Sequence, residues 1–293
     1  MFYHLLFFLL QSPVPSVVQS AAFALSNLAR GKDANLKALM DAGIAESLIH
    51  LMDLDTDQGT MAEAAWTLAY LTAGGEYEQT FVSLGLIPRV VAALDKLSQQ
   101  TPHDSAVVTP LVRCLGNICS GPEELVTMAT GDGSLLPSIG RLLHSDHRHI
   151  KKETLWALSN MTEVSSVCQQ LVSLGLLPGI VSCLENTYDI KREAVVCLCN
   201  LAYQGPALCQ VLLQHGAFPG VINMLKNQDT DAIGLALGFA DLILKNDSSA
   251  KHLFEEHGGL KLLEPLEYHN NPEIHKQVAE FLEAHFYQDD EHK

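Results

Sequence analysis

Residues 164–205 read VSSVCQQLVSLGLLPGIVSCLENTYDIKREAVVCLCNLAYQG, and this stretch decides the fold because its phrasing recurs along the chain. Each copy has a small or polar residue, a glycine, a few apolar residues and a run that ends in Leu. The glycines of the copies are Gly43, Gly85, Gly133, Gly175, Gly216 and Gly258. They are spaced by 42, 48, 42, 41 and 42 residues. This period predicts a helical solenoid, whose units bury their apolar faces by stacking on one another.

A second phrase, centred on an asparagine, runs in phase with the glycines. It reads ALSN, CLGN, ALSN and CLCN, and its asparagines are Asn27, Asn117, Asn160 and Asn200. Tyr70 and Asp241 fill the same slot in the other two copies. Because the four asparagines share one phase of the repeat, we expect them to lie on one surface of successive helices.

Each unit divides into three predicted helices. In residues 164–205 the first ends at Gly175, for which we predict the left-handed conformation of a helix-ending glycine. The second has Pro178 in its first turn, where a missing N–H costs little. The third has apolar residues three and four apart and ends before Gly205. The same parse predicts further third helices near 14–30, 58–73, 104–120, 147–162 and 228–245, and a closing helix near 271–287.

The repeats predict one all-α domain over residues 1–293. Its parts are a partial first repeat at 1–31, repeats at 32–74, 75–121, 122–163, 164–205 and 206–246, and a closing repeat at 247–293. The 48-residue step comes from an inserted KLSQQTPHDSAV, which we expect to form a surface loop. The opening MFYHLLFFLLQ is interpreted as a truncated repeat in preference to a signal peptide, because it lacks basic residues and is too short to span a bilayer.

Composition narrows the classes of function. The net charge of −16 argues against binding nucleic acid through its phosphates and favours attraction to basic partners. A plain acidic coat on the outer helices explains the charge equally well. The seven cysteines form no CxxC pair and sit mostly in apolar helical phrases, which is typical of a reducing compartment.

The helix triplets, the G-h-h-P phrase and the Asn-bearing third helix resemble armadillo repeats. ETLWALSNMT carries the W-x-x-x-N pattern at Trp156 and Asn160, which resembles importin-α, as does the ending GGLKLLEPLEYHNNPEIHKQVAEFLEAHFYQDDEHK. The resemblance implies a right-handed α-solenoid whose concave groove holds an extended basic peptide of the nuclear-localisation-signal type. It implies a non-enzymatic adaptor in protein import, present in cytoplasm and nucleus, with basic cargo. Importin-β is an implied partner if a basic segment precedes this chain.

The resemblance also assigns a candidate groove. Asparagine amides there bond the peptide backbone, tryptophan rings flank its cationic side chains, and carboxylates set the charge. The candidate residues are Asn27, Asn117, Asn160, Asn200, Trp66, Trp156, Glu63, Glu153, Glu193 and Glu163. We expect Trp156 with Glu153 to be the main cation site, and Trp66 with Glu63 a weaker one. Arg113, between the two, is expected to repel a basic ligand.

Other interpretations stay open at this stage. The asparagines could order neighbouring turns without any ligand, and the chain could be a scaffold outside transport, possibly at a membrane surface. No stretch holds 18 consecutive apolar residues, so we expect no membrane span. The histidines of HSDHRH, residues 144–149, are interpreted as solvated rather than as a metal site. No phosphate-loop, dinucleotide or hydrolase motif is present, so we expect no cofactor and no small-molecule substrate.

Overall fold

The computed structural model describes residues 2–287, and every regular element in that range is helical. The chain divides into two compact units, Met1–Val164 and Ser165–Lys293, called unit 1 and unit 2. The boundary falls next to the predicted repeat boundary at residue 163. The last residues of the tail resembling the importin-α ending, 288–293, lie outside the described part.

Unit 1 consists of a leading helix pair followed by helix triplets. Its helices are α1 Phe2–Leu10, α2 Pro15–Arg30, α3 Leu36–Asp41, α4 Ile44–His50, α5 Gln58–Thr72, α6 Glu78–Ser83, α7 Leu86–Ser98, α8 Ser105–Cys119, α9 Glu123–Thr130, α10 Leu135–Leu143 and α11 Arg148–Met161. The helices α2, α5, α8 and α11 are the third helices of their repeats, and each packs on the next one along the unit.

Unit 2 continues the same triplet order. Its α-helices are α12 Ser165–Ser173, α13 Leu177–Ser182, α14 Tyr188–Tyr203, α15 Pro206–Gln214, α16 Ala217–Ile222, α17 Thr230–Asn246, α18 Ala250–Glu256, α19 Gly259–Leu263 and α20 Pro272–Leu282. Short 3₁₀ turns follow α13, α16 and α19, and a π-helical turn, Glu283–Tyr287, continues α20. The third helices α14, α17 and α20 pack in succession.

The six repeat glycines set the junction between the first and second helix of each triplet. Their φ angles lie between 67° and 83°, in the left-handed region that favours glycine. This confirms the prediction made for Gly175 and explains the regularity of the glycine phrase. Pro178 lies in the first turn of α13, as predicted.

Polar side chains begin several third helices. Asp57 accepts a hydrogen bond from the Thr60 backbone N–H at 2.9 Å and so caps α5, and Asp104 caps α8 in the same way. Each cap satisfies one of the backbone N–H groups left unpaired in a first helical turn. Leu, Ile, Val and Ala dominate the core, as the low aromatic content predicts.

The inserted segment of the third repeat differs from expectation. Only residues 99–104 lie between helices, because α7 continues to Ser98 and α8 begins at Ser105. The reason is that Val90, Leu94 and Leu97 extend one apolar stripe of α7, and all three are buried. His103 is also buried, and its ring Nε2 lies 3.1 Å from the Ser98 carbonyl oxygen. Three of the inserted residues, 96–98, therefore lengthen α7, while residues 99–104 form the connection to α8, in which all but His103 are exposed.

Candidate functional site

Apart from Glu163, the candidate groove residues of unit 1 lie on its third helices, and contacts run from one of these helices to the next. Asn117 of α8 donates through Nδ2 to the Ala69 carbonyl oxygen of α5 at 2.8 Å and to Thr72 Oγ1 at 3.2 Å. Asn160 of α11 donates to the Gly116 carbonyl oxygen of α8 at 2.9 Å. These two asparagines therefore tie consecutive third helices together, and each still has acceptor capacity on Oδ1.

The slot is used differently in the earlier repeats. Asn27 donates to the Phe23 carbonyl oxygen of its own helix at 2.8 Å and accepts a hydrogen bond from Arg30 at 3.0 Å. Tyr70, which replaces asparagine in α5, stacks on Trp66 with a centroid distance of 5.9 Å and an interplanar angle of 22°. The bond between helices is thus not shared by every copy, although the phase in the sequence is the same.

The Trp156 locus consists of Arg113, Glu153 and Trp156. The Arg113 Cζ lies 4.6 Å from the centroid of the Trp156 ring. Its Nη2 donates to Glu153 Oε1 at 2.6 Å, and the Glu153 side chain is only 10% exposed. Glu153 Oε2 is buried without a hydrogen-bond partner in the described part of the chain. Arg113 therefore lies within this locus rather than between two loci, and it covers the aromatic face that the sequence offered to a ligand.

Gly116 positions Trp156 and is a residue that sequence reasoning missed. A Cβ atom at this position would lie 2.3 Å and 2.8 Å from two atoms of the Trp156 ring and 3.1 Å from the Ala157 Cβ. The ring thus lies directly against the backbone of α8, beside the carbonyl oxygen that accepts from Asn160. A glycine inside the predicted helix, within CLGN, is the signal that could have found this close approach.

The Trp66 locus is the equivalent site formed by α2 and α5. Glu63 accepts a hydrogen bond from the Ser26 hydroxyl, and no ion pair to Glu63 is found within residues 2–287. Phe23 is 59% exposed and stands where Arg113 stands in the other locus. An open pocket of about 320 Å³ is lined by Phe23, Ser26, Asn27, Arg30, Glu63, Trp66 and Tyr70. The locus combines aromatic rings with a carboxylate that no cation of the described chain neutralises.

The remaining predicted residues are Glu163, near the end of unit 1, and Glu193 and Asn200 in unit 2. Glu163 is exposed and follows the end of α11. In unit 2, Glu193 is buried on α14 and accepts from Arg192 Nη1 at 3.1 Å, while Asn200 is half-buried on the same helix. Asp241, at the asparagine slot of α17, binds Lys245 at 2.7 Å and the buried His285 ring at 2.8 Å.

The geometry gives no support to other chemistry in the described residues. No group of three His, Cys, Asp or Glu side chains there could hold a metal ion, and this includes the histidines of residues 144–149. Burial raises the pKa of the Cys114 and Cys119 thiols to about 12, so neither is a ready thiolate nucleophile at neutral pH. The groups present at the two loci are aromatic rings, carboxylates and hydrogen-bonding side chains.

The helix triplets and the Trp and Asn positions define an armadillo-repeat α-solenoid of the importin-α-like class. Importin subunit alpha-9 of Arabidopsis thaliana is 27% identical over 296 residues, which cover 94% of this chain and 56% of that protein. The chain belongs to the TMCO6 family, whose pattern it matches over residues 4–286. PLVRCLGNIC, EAAWTLAYLT and VVCLCNLAYQGPALCQ are the phrases that predict this closer kinship.

Solved structures agree on the fold. An engineered protein superposes with a TM-score of 0.83 at 29% identity, covering 96% of this chain and 67% of that one. A designed armadillo repeat protein, solved in complex with the peptide (KR)4, superposes with a TM-score of 0.71 at 25% identity, covering 82% of this chain and 98% of that one. The chain spans about half the length of the curated relatives that it matches over most of its own length.

Within residues 2–287 no single helix is both long and apolar enough to cross a membrane. One pair, Ser165–Ser173 with Leu177–Glu185, meets the requirement jointly but bends by 94° between its halves.

Proposed function

We propose that this protein is a peptide-binding adaptor that holds an extended basic peptide along its third helices, with the Trp66 locus as the cation site. The observation that carries the proposal is an exposed aromatic pocket whose carboxylate, Glu63, has no cationic partner among the described residues. A Lys or Arg side chain laid against Trp66 would gain a cation–π contact and an ion pair together. The sequence predicted the opposite, with the Trp156 locus as the main cation site and the Trp66 locus as the weaker one.

Charge and kinship support the same class of ligand. The net charge of −16 attracts cationic peptides over distances comparable to the Debye length. A structural neighbour is a designed armadillo repeat protein complexed with a peptide of alternating Lys and Arg. Arg30 at the pocket edge opposes binding, but it is exposed, and its one hydrogen bond among the described residues is to Asn27 at 3.0 Å, so a ligand can displace it.

The experiment is fluorescence anisotropy of labelled (KR)4 peptide against the wild type, Trp66→Ala and Trp156→Ala. Trp66→Ala should weaken binding by about tenfold or more, because the aromatic contact and the shielding of Glu63 are lost together. Trp156→Ala, the matched control, should weaken it far less, because Arg113 already covers that ring. Binding should fall as salt rises, because the charges are exposed. Equal affinity of the wild type and Trp66→Ala would remove the basic-peptide assignment.

We propose further that the bound peptide is a nuclear localisation signal and that the protein serves import, in cytoplasm and nucleus. The kinship with importin-α subunits supports this step. A carrier must recruit importin-β, so the test is co-purification of importin-β with the full-length protein, together with import of a basic-signal cargo in permeabilised cells. Peptide binding without either result would favour an armadillo scaffold outside transport, a function to which the covered Trp156 ring is better suited.

A further inference from the structure

Each of the two tryptophan loci of unit 1 is formed by two consecutive third helices, α2 with α5 and α8 with α11, and the two loci use matching positions of these helices. Glu63 and Trp66 of α5 correspond to Glu153 and Trp156 of α11, with the same spacing of three residues. The preceding helix supplies the facing residue, four positions before its asparagine. That residue is Phe23 in one locus and Arg113 in the other.

Arg113 satisfies the recognition chemistry of the Trp156 locus from within the chain. An aromatic face beside a buried carboxylate is the environment that binds a guanidinium group. Arg113 supplies that group, with its Cζ 4.6 Å from the ring centroid and its Nη2 2.6 Å from Glu153 Oε1. Glu153 Oε2 is buried and has no partner in the described residues, so the carboxylate has capacity for a second N–H that the observed geometry does not use.

A cation from a ligand would enter this locus only by removing Arg113. It would then compete for one carboxylate with a tethered residue that is always present and always charged. The displaced guanidinium would remain nearby and repel the newcomer. The locus therefore rejects Lys and Arg side chains although it has the aromatic ring and the carboxylate to bind them.

We propose that Arg113 is an internal ligand that occupies the cation site of Trp156 and Glu153 and thereby determines where a bound peptide can place its cations. This inference rests on the proposed function for its biological meaning and adds a specificity-determining residue to it. The occupancy itself can be tested with a small guanidinium compound, independently of any peptide.

The first test uses N-acetyl-argininamide and the fluorescence of Trp156. Because the chain has two tryptophans, Trp66→Phe leaves Trp156 as the single reporter. In that background Arg113→Ala should give a saturable fluorescence change, with an apparent affinity about tenfold or more above that of the parent. Adding Glu153→Gln should remove the gain. A gain that persists without the Glu153 carboxylate, or no gain on removing Arg113, would overturn the inference.

The converse test keeps the inference falsifiable if Arg113→Ala fails to fold. Phe23 is exposed, so Phe23→Arg should leave the fold intact. In a Trp156→Phe background it should abolish the response of Trp66 to N-acetyl-argininamide, because the new arginine occupies the Trp66 locus. An unchanged response would show that an arginine in this slot does not act as an internal ligand. If the wild type did not bind (KR)4 at all, that result would count against the proposed function alone and not against the occupancy of the Trp156 locus by Arg113.

Discussion

The Trp66 and Trp156 loci occupy the same phase of the repeat, yet one is an open pocket and the other is filled. The difference lies in the residue supplied by the preceding helix, which is Phe23 in the first case and Arg113 in the second. A ring at that position leaves a carboxylate without a cation, whereas a guanidinium neutralises the carboxylate and covers the tryptophan. A repeated motif therefore does not guarantee a repeated site.

The two loci should also differ in what they contribute. The Trp156 locus is interlocked, with a ring on the Gly116 backbone, an ion pair and an asparagine bond between the same two helices. Within the described residues, the Trp66 locus has one hydrogen bond between its helices, from Ser26 to Glu63, and a pocket open to solvent. We therefore expect substitutions in the first to affect stability, and substitutions in the second to affect binding.

The largest effect is expected from Gly116→Ala. The added methyl group would overlap the Trp156 ring, and overpacking of this kind costs about 1–3 kcal/mol. The gain in helix propensity, about 1 kcal/mol, offsets part of that cost but not a clash with a rigid ring. The free energy of unfolding, measured by urea denaturation, should fall by up to about 2 kcal/mol. Binding of (KR)4 should stay close to that of the wild type.

Gly238→Ala provides the matched control for that measurement. Gly238 also lies inside a third helix, α17, but no atom lies within 4 Å of a Cβ built there. Alanine at this position should raise stability by up to about 1 kcal/mol through helix propensity alone. If both substitutions stabilised the protein, the close approach of Trp156 to Gly116 would be wrong.

A smaller effect separates the two carboxylates. Glu153→Gln removes the charge that pairs with Arg113 in a buried position and should cost about 1 kcal/mol, because Arg113 is itself 39% exposed. Glu63→Gln keeps an oxygen that can accept from Ser26 and should cost less than about 0.5 kcal/mol. The order should reverse for (KR)4 affinity, which Glu63→Gln weakens more. If Glu153→Gln had the larger effect on both stability and (KR)4 affinity, the proposed distinction between the two loci would be wrong.

The smallest effect concerns the caps of the helices that carry the two tryptophans. Asp57 caps α5, whereas His147 at the start of α11 makes no side-chain cap bond. Asp57→Ala should cost about 0.5 kcal/mol at pH 7, the low end for caps because the residue is exposed, and His147→Ala should cost nothing measurable. Thermal denaturation of the two variants against the wild type measures the difference.

The Asp57 contribution should depend on pH in a defined direction. Hydrogen bonding by Thr60 lowers the pKa of this carboxyl in the folded protein below its ordinary value of 3.8. The stabilisation is therefore complete above the unfolded pKa and is lost as pH falls through the lower, folded pKa. Wild type and Asp57→Ala should converge in stability below about pH 3.8. A difference that grew on acidification would contradict the cap assignment.

Much of the fold was predictable because its signals are local. The left-handed glycines, Pro178 and the apolar stripes act within one or two turns of the chain, so the phrase in residues 164–205 predicts its three helices correctly. The insertion in the third repeat was predicted less well. Its polar residues predicted a loop. Leu97, however, extends the buried apolar stripe of α7, and whether that stripe keeps the segment helical depends on what packs against α7.

The candidate site was predictable only as a set of positions. The sequence placed Glu63, Trp66, Glu153, Trp156 and the asparagines at one phase of the repeat. The structure puts these residues on third helices that pack in succession within unit 1, except Asn200, which lies on α14 of unit 2. The sequence could not show that Asn117 and Asn160 each donate a hydrogen bond to a backbone carbonyl oxygen of the preceding third helix. Those bonds join residues 44 to 48 positions apart.

The sequence by itself determined the architecture, because a 42-residue period of helix, turn and helix signals leaves few ways to bury the apolar faces. It also determined which residue types reach the candidate surface. Only the tertiary structure decided which of two equivalent tryptophans is open. That outcome depends on whether Arg113 reaches across to Trp156 and Glu153, and a contact between side chains of different repeats is fixed by how the helices stack.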